Sequence, residues 1–409
     1  MTGILSGLRI IEGSAFVAAP LCGMTIAQMG ADVIRFDLPS GGIDYRRWPK
    51  SDNGTSIYWA SMNKGKRSLA VDFRRPEGQE LLTELITAPG KENGILSTNF
   101  PMRDWLDYET LKKRRADLIA MNIIGNPDES VAVDYTVNAA VGFPLVTGSG
   151  NNKSPVNHVF PGWDVATGYA AAMGVLAAER YRNRTGKGQQ IKLSLSDVAF
   201  STVGNLGYIG EVQINKEERP NIGNSIYGSY GEDFATKDGR RVMIIAVSVS
   251  QWRKLLDATE CHDSISNVEK EMGLDFNLEE HRFEARIEIG SIIGPWCKSR
   301  NLSDIRKIFE ENNVCWGPFQ SFSQMVNEDP RCSTKNPLFA EMDQPGLGKY
   351  LIPRIPHQFS EIEHKHTRAP RLGEHTIQIL ADEIGLSQSK IGELHDSGII
   401  YEAENEKKR

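Results

Sequence analysis

Residues 8–36, LRIIEGSAFVAAPLCGMTIAQMGADVIRF, read as strand, helix, strand. Leu8–Glu12 and Asp32–Phe36 are short apolar runs of strand length. Between them Ala18–Met29 reads as a helix, with Pro20 in the first turn, where a missing N–H costs nothing. This unit predicts a parallel sheet, whose ligands bind beyond the carboxyl ends of the strands. The rhythm continues. Ser68–Val71, Gly94–Asn99 and Leu118–Ile124 are strand-like, and Pro76–Thr87 and Trp105–Lys113 are helical. Thr136–Val146 has helix-like apolar content and runs into the loop TGSGNNKS. Asp164–Asn183 reads as a long buried helix with Met173 and Leu176 on its apolar side, closed by the glycine turn TGKGQQ. Ile191–Leu195 alternates as a strand with one wet face.

Beyond residue 225 the pattern changes. Asp238-Gly239 punctuates two short strands, Asp233–Thr236 and Arg240–Ala246, as a hairpin. A mostly helical, charged stretch follows to 313. The expected organisation is a Rossmann-like α/β domain over 1–224, a small α+β domain over 225–325, and a segment over 326–409 of turns, helix pieces and the tail NEKKR.

The 409 residues carry 47 Lys plus Arg against 53 Asp plus Glu, a net charge of −6, which argues against a dedicated nucleic-acid binder. The most apolar long stretch, Gly168–Ala178, is too short to span a membrane, and no signal peptide is evident at the N-terminus. Five cysteines in no metal or CxxC spacing suggest reduced thiols in a cytoplasmic protein.

The first strand–helix loop lacks G-x-G-x-x-G, and no P-loop string occurs, so neither an NAD nor an ATP fingerprint is present. The stretch 45–68 gathers Arg46, Arg47, Lys50, Lys64, Lys66 and Arg67 among Tyr45, Trp48, Tyr58 and Trp59. Such a concentration in an acidic chain suits a phosphorylated ligand, or else a solvated basic face. Asp164 reads plainly as an N-cap, without the Glu or Gln of a full capping box. A carboxylate at that place is held anionic and oriented by the helix dipole, the state a nucleophile requires. His158 reads as structural, His364 and His366 as residues of a wet loop, and Glu232, Asp233 and Glu374 as surface carboxylates.

Gly7–Glu12, Ala31–Asp37, Asn63–Ser68, Thr98–Phe100, Asp164 with Thr167-Gly168, Ala177–Arg180, Thr185–Gln189 and Ala369–Thr376 together resemble the class III CoA-transferases, over nearly the whole chain. The resemblance implies that the C-terminal segment returns to the Rossmann-like domain and that the chain forms an interlocked homodimer. It implies a CoA thioester substrate and no metal or separate cofactor, CoA being part of the substrate. The family nucleophile falls on Asp164. The adenosine-diphosphate part of CoA falls on Arg35, Leu38, Arg46, Asn63, Lys64, Lys66 and Arg67. An Asn-Phe-Arg segment that also faces CoA matches Asn99 and Phe100, with Arg103 standing in for the arginine after Pro101-Met102. The glycine-rich flap of the formyl-CoA transferases has no counterpart near Gly223–Gly231. The phrases EGSAFVAAPL, NKGKRS, VDYTVN, NHVFPGWDVATG and STKNPLF resemble one branch, in which CoA moves between the two carboxyls of one C5 unsaturated diacid. An intermolecular CoA-transferase and a non-enzymatic CoA- or nucleotide-binding protein stay open as alternatives. Asp164-Val165-Ala166-Thr167 counts against the racemase branch.

Overall fold

The computed structural model describes residues 3–150, 154–363 and 365–403; His364 and the NEKKR tail lie outside them. The elements of the first half are β1 (Arg9–Gly13), α1 (Ala18–Gln28), β2 (Asp32–Asp37), α2 (Ile57–Met62), β3 (Arg67–Val71), α3 (Pro76–Ile86), β4 (Ile95–Thr98), α4 (Tyr108–Arg114), β5 (Ile119–Ile124), α5 (Asp134–Ala140), α6 (Phe143–Val146), α7 (Gly162–Thr185) and β6 (Gln190–Ser194). Their strands form one parallel sheet in the order β3-β2-β1-β4-β5-β6, with Ile400–Tyr401 added antiparallel beside β3. The strand order reverses between β1 and β4. That reversal opens a crevice outside their carboxyl ends, the ligand position of doubly wound folds.

Strands β1 to β5 are buried on both faces. On one face Ile10, Val33, Ile95 and Met121 pack against Ala18, Cys22 and Ile26 of α1 and Ala171 and Val175 of α7. On the other, Ile11, Ile34, Leu69 and Leu96 pack with Leu82 and Leu85 of α3, Leu111 of α4, and Ile379 and Leu394 of the C-terminal helices. Burial on both sides explains why the strands read as continuous apolar runs rather than alternating ones. Helices α1 and α7 approach closely at Gly168, where a Cβ would lie 2.9 Å from the Ala18 carbonyl oxygen. Helix α7 is not wholly buried: Met173, expected on the apolar side, is 68% exposed, and Tyr169 one turn earlier is also exposed.

The chain divides into two compact units. The larger comprises Met1–Val141, Val159–Gly210 and Pro330–Arg409, and the smaller Gly142–His158 and Glu211–Asp329. The smaller unit starts fourteen residues before the expected 225 and takes in 142–158. Asn221 is the tie: its Nδ2 donates to the Thr147 carbonyl (3.0 Å) and its Oδ1 accepts the Gly150 N–H (3.1 Å). Within that unit the antiparallel sheet of β7 (Tyr230–Ala235), β8 (Arg241–Ala246) and β9 (Cys315–Pro318) carries a core with Trp252, Phe276, Ile289 and Phe309. In the larger unit 339–353 forms a hairpin, β10 (Phe339–Gln344) and β11 (Gly348–Pro353), where turns and helix pieces were expected. No described helix is long and apolar enough to cross a membrane. All five cysteines are free thiols.

Candidate active site

Asp164 is the third residue of α7, not its N-cap. The cap is supplied from α5. Asp134 Oδ2 accepts the backbone N–H groups of Trp163 (2.7 Å) and Asp164 (3.0 Å), and Asn138 Oδ1 accepts the Trp163 indole N–H (3.0 Å). Asp134 and Asn138 are each 2% exposed, one helical turn apart on one face of α5. The Asp164 side chain is thereby released from capping, and its carboxylate has no hydrogen-bond partner among the described residues. Burial and the nearby Asp134 charge push its pKa up to about 6, against the downward pull of Arg47. The dipole expectation of a readily ionised carboxylate therefore fails, because desolvation and a like charge outweigh it.

The loop after β1 holds an unusual conformation. Phe16 has φ +67°, a region that non-glycine residues rarely adopt. Three neighbours pin the loop. Asn99 clamps Ala15 at both ends, its Oδ1 accepting the N–H (2.9 Å) and its Nδ2 donating to the carbonyl (2.8 Å). Asp44 Oδ2 accepts the Phe16 N–H (2.6 Å), and the Tyr58 hydroxyl donates to the Phe16 carbonyl (2.7 Å). The Arg47 guanidinium lies 5.0 Å from the Phe16 ring centroid and 5.2 Å from that of Tyr58. Backbone strain over-determined in this way is characteristic of functional sites. The Tyr58 hydroxyl is pushed up to about 12, mainly by burial, with Asp44 and Asp164 adding to the rise.

Several basic residues expected on CoA are instead spent inside the protein. Arg35 is 1% exposed, and its N–H groups donate to Asp37 (2.8 and 3.0 Å), to the Ser14 carbonyl and hydroxyl (3.0 and 3.1 Å) and to Asn63 Oδ1 (3.3 Å). Lys66 Nζ donates to Glu12 Oε1 (2.7 Å) and to the Pro20 carbonyl (2.9 Å), with both side chains fully buried. Asn63 Nδ2 donates to the Trp59 carbonyl. Arg67 pairs with Asp32 and Glu383, alongside Arg9. Phe100 packs on Phe36 and Phe73 in the core. Lys64 is buried without an ion pair among the described residues, and desolvation lowers its pKa to about 8. Leu38 is half-buried, and Arg103 is exposed. Glu374 is held by Arg368 (2.5 Å). Among the described residues no three His, Cys, Asp or Glu side chains are placed to hold a metal ion.

Arg46 lines a cavity. About 240 Å³ in volume, that cavity is also lined by Tyr45, Lys50, Trp59, Gln344 and Arg371, and has no carboxylate in its wall. The Trp59 indole N–H is buried there without a hydrogen-bond partner. The sequence reading missed Asp134, Asn138 and Asp44. The pair Asp134/Asn138 had a readable signal, two polar residues four apart on a helix, but their targets, two amides and an indole N–H, lie 25 to 30 residues away.

A family model for CoA-transferase family III matches residues 5–376. The chain is 50% identical over 402 residues, 98% of both chains, to the 2-methylfumaryl-CoA isomerase of Chloroflexus aurantiacus. It is 27% identical, over 98% of both chains, to a formyl-CoA:oxalate CoA-transferase of Rhodopseudomonas palustris. Against the crystal structure of a CaiB/BaiF family protein from Brucella suis it has a TM-score of 0.74 at 26% identity, covering 93% of this chain and 100% of that one. With its parallel sheet, its pinned switch-point loop and an end-to-end match of this kind, the chain belongs to CoA-transferase family III.

Proposed function

We propose that this protein moves CoA from C1 to C4 of one C5 unsaturated diacid, converting 2-methylfumaryl-CoA to 3-methylfumaryl-CoA. The observation that carries the reading is the 50% identity, end to end, with a 2-methylfumaryl-CoA isomerase. The chemistry falls to Asp164. Its carboxylate attacks the C1 thioester carbonyl, and the C–S bond breaks to give an aspartyl mixed anhydride and CoA thiolate. The thiolate attacks the aspartyl carbonyl, forming an aspartyl-CoA thioester and freeing the diacid as a carboxylate. The C4 carboxylate then attacks that thioester and expels the thiolate. A second anhydride forms, the thiolate attacks its C4 carbonyl, and Asp164 returns as a carboxylate. A desolvated, unpaired aspartate suits this role, since hydration is what makes carboxylates weak nucleophiles. Each tetrahedral step needs oxyanion donors. We assign them to the first turn of α1, where the Val17, Ala18 and Ala19 amides have no partner among the described residues.

We place the CoA phosphates against the Arg46 cavity, because Arg35, Lys66 and Arg67 already have internal partners. Retention of the free diacid between half-reactions keeps it at high effective concentration. We also propose a homodimer. Val159, Phe160 and, on α7, Tyr169 and Met173 present apolar surface to solvent, more than a scattered pattern explains.

The test is incubation of the purified protein with 2-methylfumaryl-CoA and no free acid, followed by NMR of the product. Formation of 3-methylfumaryl-CoA is the expected result, and a parallel incubation with added labelled mesaconate should show no uptake of label. Product that appears only when free acid is added sinks the intramolecular reading in favour of transfer between acids.

A further inference from the structure

The acyl group in this reading is never neutral: whichever carboxyl carries CoA, the other is a free carboxylate. A site that desolvates Asp164 beside Asp134 already concentrates negative charge. A second carboxylate entering it needs a cation close to the nucleophile. Arg47 is the cation whose charge is felt at Asp164.

Arg47 is also built to receive a ligand. Its side chain is 40% exposed, unlike the buried Arg35. The guanidinium lies over Phe16 and Tyr58, both locked by the loop contacts described above, so two aromatic faces fix its plane. Its one ion pair among the described residues is long, Nη1 to Asp44 Oδ1 at 3.5 Å, while the other Asp44 oxygen is committed to the Phe16 N–H at 2.6 Å. The remaining N–H groups have no partner among the described residues. A planar fork with free N–H groups matches a carboxylate in bidentate fashion.

Resting on the function proposed above, we propose that Arg47 is a specificity-determining residue that binds the carboxylate of the acyl group not joined to CoA, and so selects dicarboxylic over monocarboxylic acyl-CoA. Because C1 and C4 exchange roles during turnover, the same guanidinium holds C4 in the first half-reaction and C1 in the last. The Asp44 pairing keeps it in place while the diacid turns.

The experiment measures binding by calorimetry in the Asp164→Asn protein, which cannot turn over, with CoA, crotonyl-CoA and 2-methylfumaryl-CoA as probes. Crotonyl-CoA lacks the second carboxylate. The expected result is that adding Arg47→Gln weakens 2-methylfumaryl-CoA about 10- to 100-fold, the usual range for a lost charge-assisted contact, with CoA and crotonyl-CoA changed less than twofold. Arg47→Lys should restore part of the preference. Equal weakening of both esters, or no change in either, overturns the assignment to the carboxylate. Failure of the Asp164→Asn parent to bind CoA or either ester is the separate signature that the proposed function itself is wrong.

Discussion

Asp134 occupies the cap that Asp164 vacates: one Asp134 oxygen accepts the backbone N–H of Trp163 and that of Asp164 itself, and the Asp164 carboxylate is left without a partner. One aspartate thus does the structural work of a helix start, and the other is free for chemistry. The division also has an electrostatic effect, since the capping charge helps raise the Asp164 pKa to about 6.

Asp164→Asn should abolish CoA transfer while leaving CoA affinity within a few-fold. It should also stabilise the protein at neutral pH. The sign follows from proton counts. Between about pH 4 and pH 6 the folded state binds more protons at Asp164 than the unfolded state, so stability falls as pH rises through that window, and the penalty is complete above it. Removing the charge returns on the order of 2 kcal/mol at pH 8 and almost nothing at pH 4. Chemical denaturation at the two pH values checks this; equal effects at both would show that the carboxyl is not perturbed.

The ionised form of Asp164 is the attacking one, so kcat/KM should rise with pH and level off above about 6. Asp134→Asn keeps an oxygen for the two amides but removes a negative charge, and should move the acid limb to lower pH. Arg47→Gln removes a cation and should move it to higher pH. Opposite displacements from two nearby variants are hard to produce by general loss of structure, so pH–rate profiles on both form a paired test. Asp134→Ala loses the cap as well, at a further cost of about 1 kcal/mol in stability.

Glu12 and Lys66 form an ion pair wholly out of water. Lys66→Met should destabilise the fold by about 3 kcal/mol in urea unfolding, because a buried carboxylate loses its nearer counter-ion and keeps the more distant Arg35 Nη1 at 3.7 Å. Pairing it with Glu12→Gln should recover much of the loss. Gly23→Ala tests the same site from α1, since a Cβ there would lie 1.6 Å from Glu12 Oε2 and force the carboxylate off Lys66. Should Lys66→Met weaken CoA binding with stability unchanged, the pair is a ligand site after all.

The βαβ opening was legible because its strands are buried on both faces and its helix carries a proline in the first turn. The strand order was not: nothing local records that β4 returns to lie beside β1. The hairpin 339–353 was missed because its outward residues, Glu341, Asp343 and Lys349 among them, interrupt two short strands with charges. Asp164 was singled out by its setting and by the family resemblance, and its cap assignment was wrong, since the true cap lies on another helix. The basic residues gain internal partners in the fold. Arg35, Lys66 and Arg67 look like ligand groups in a linear reading; Asp37 stands two residues from Arg35 on the same strand, whereas Glu12 and Glu383 come beside Lys66 and Arg67 only once the strands and the C-terminal segment are assembled.

Lys64 separates a structural from a ligand-binding reading of that basic segment. It is 6% exposed and has no ion pair among the described residues, and burial lowers its pKa to about 8. Between about pH 8 and 10.5 the unfolded state therefore binds more protons at Lys64 than the folded state, so stability rises with pH through that window, and the penalty is complete below it. If Lys64 is only a buried cation, Lys64→Met should stabilise the protein at pH 7 by on the order of 3 kcal/mol, with the gain fading toward pH 10.5. CoA should then raise the Tm of both proteins equally. If Lys64 meets a CoA phosphate, the anion restores its charge on binding. CoA should then stabilise the natural protein well beyond the Lys64→Met variant, and the excess should shrink as salt is added. Thermal melts of the two proteins with and without CoA, at low and high salt, distinguish these outcomes.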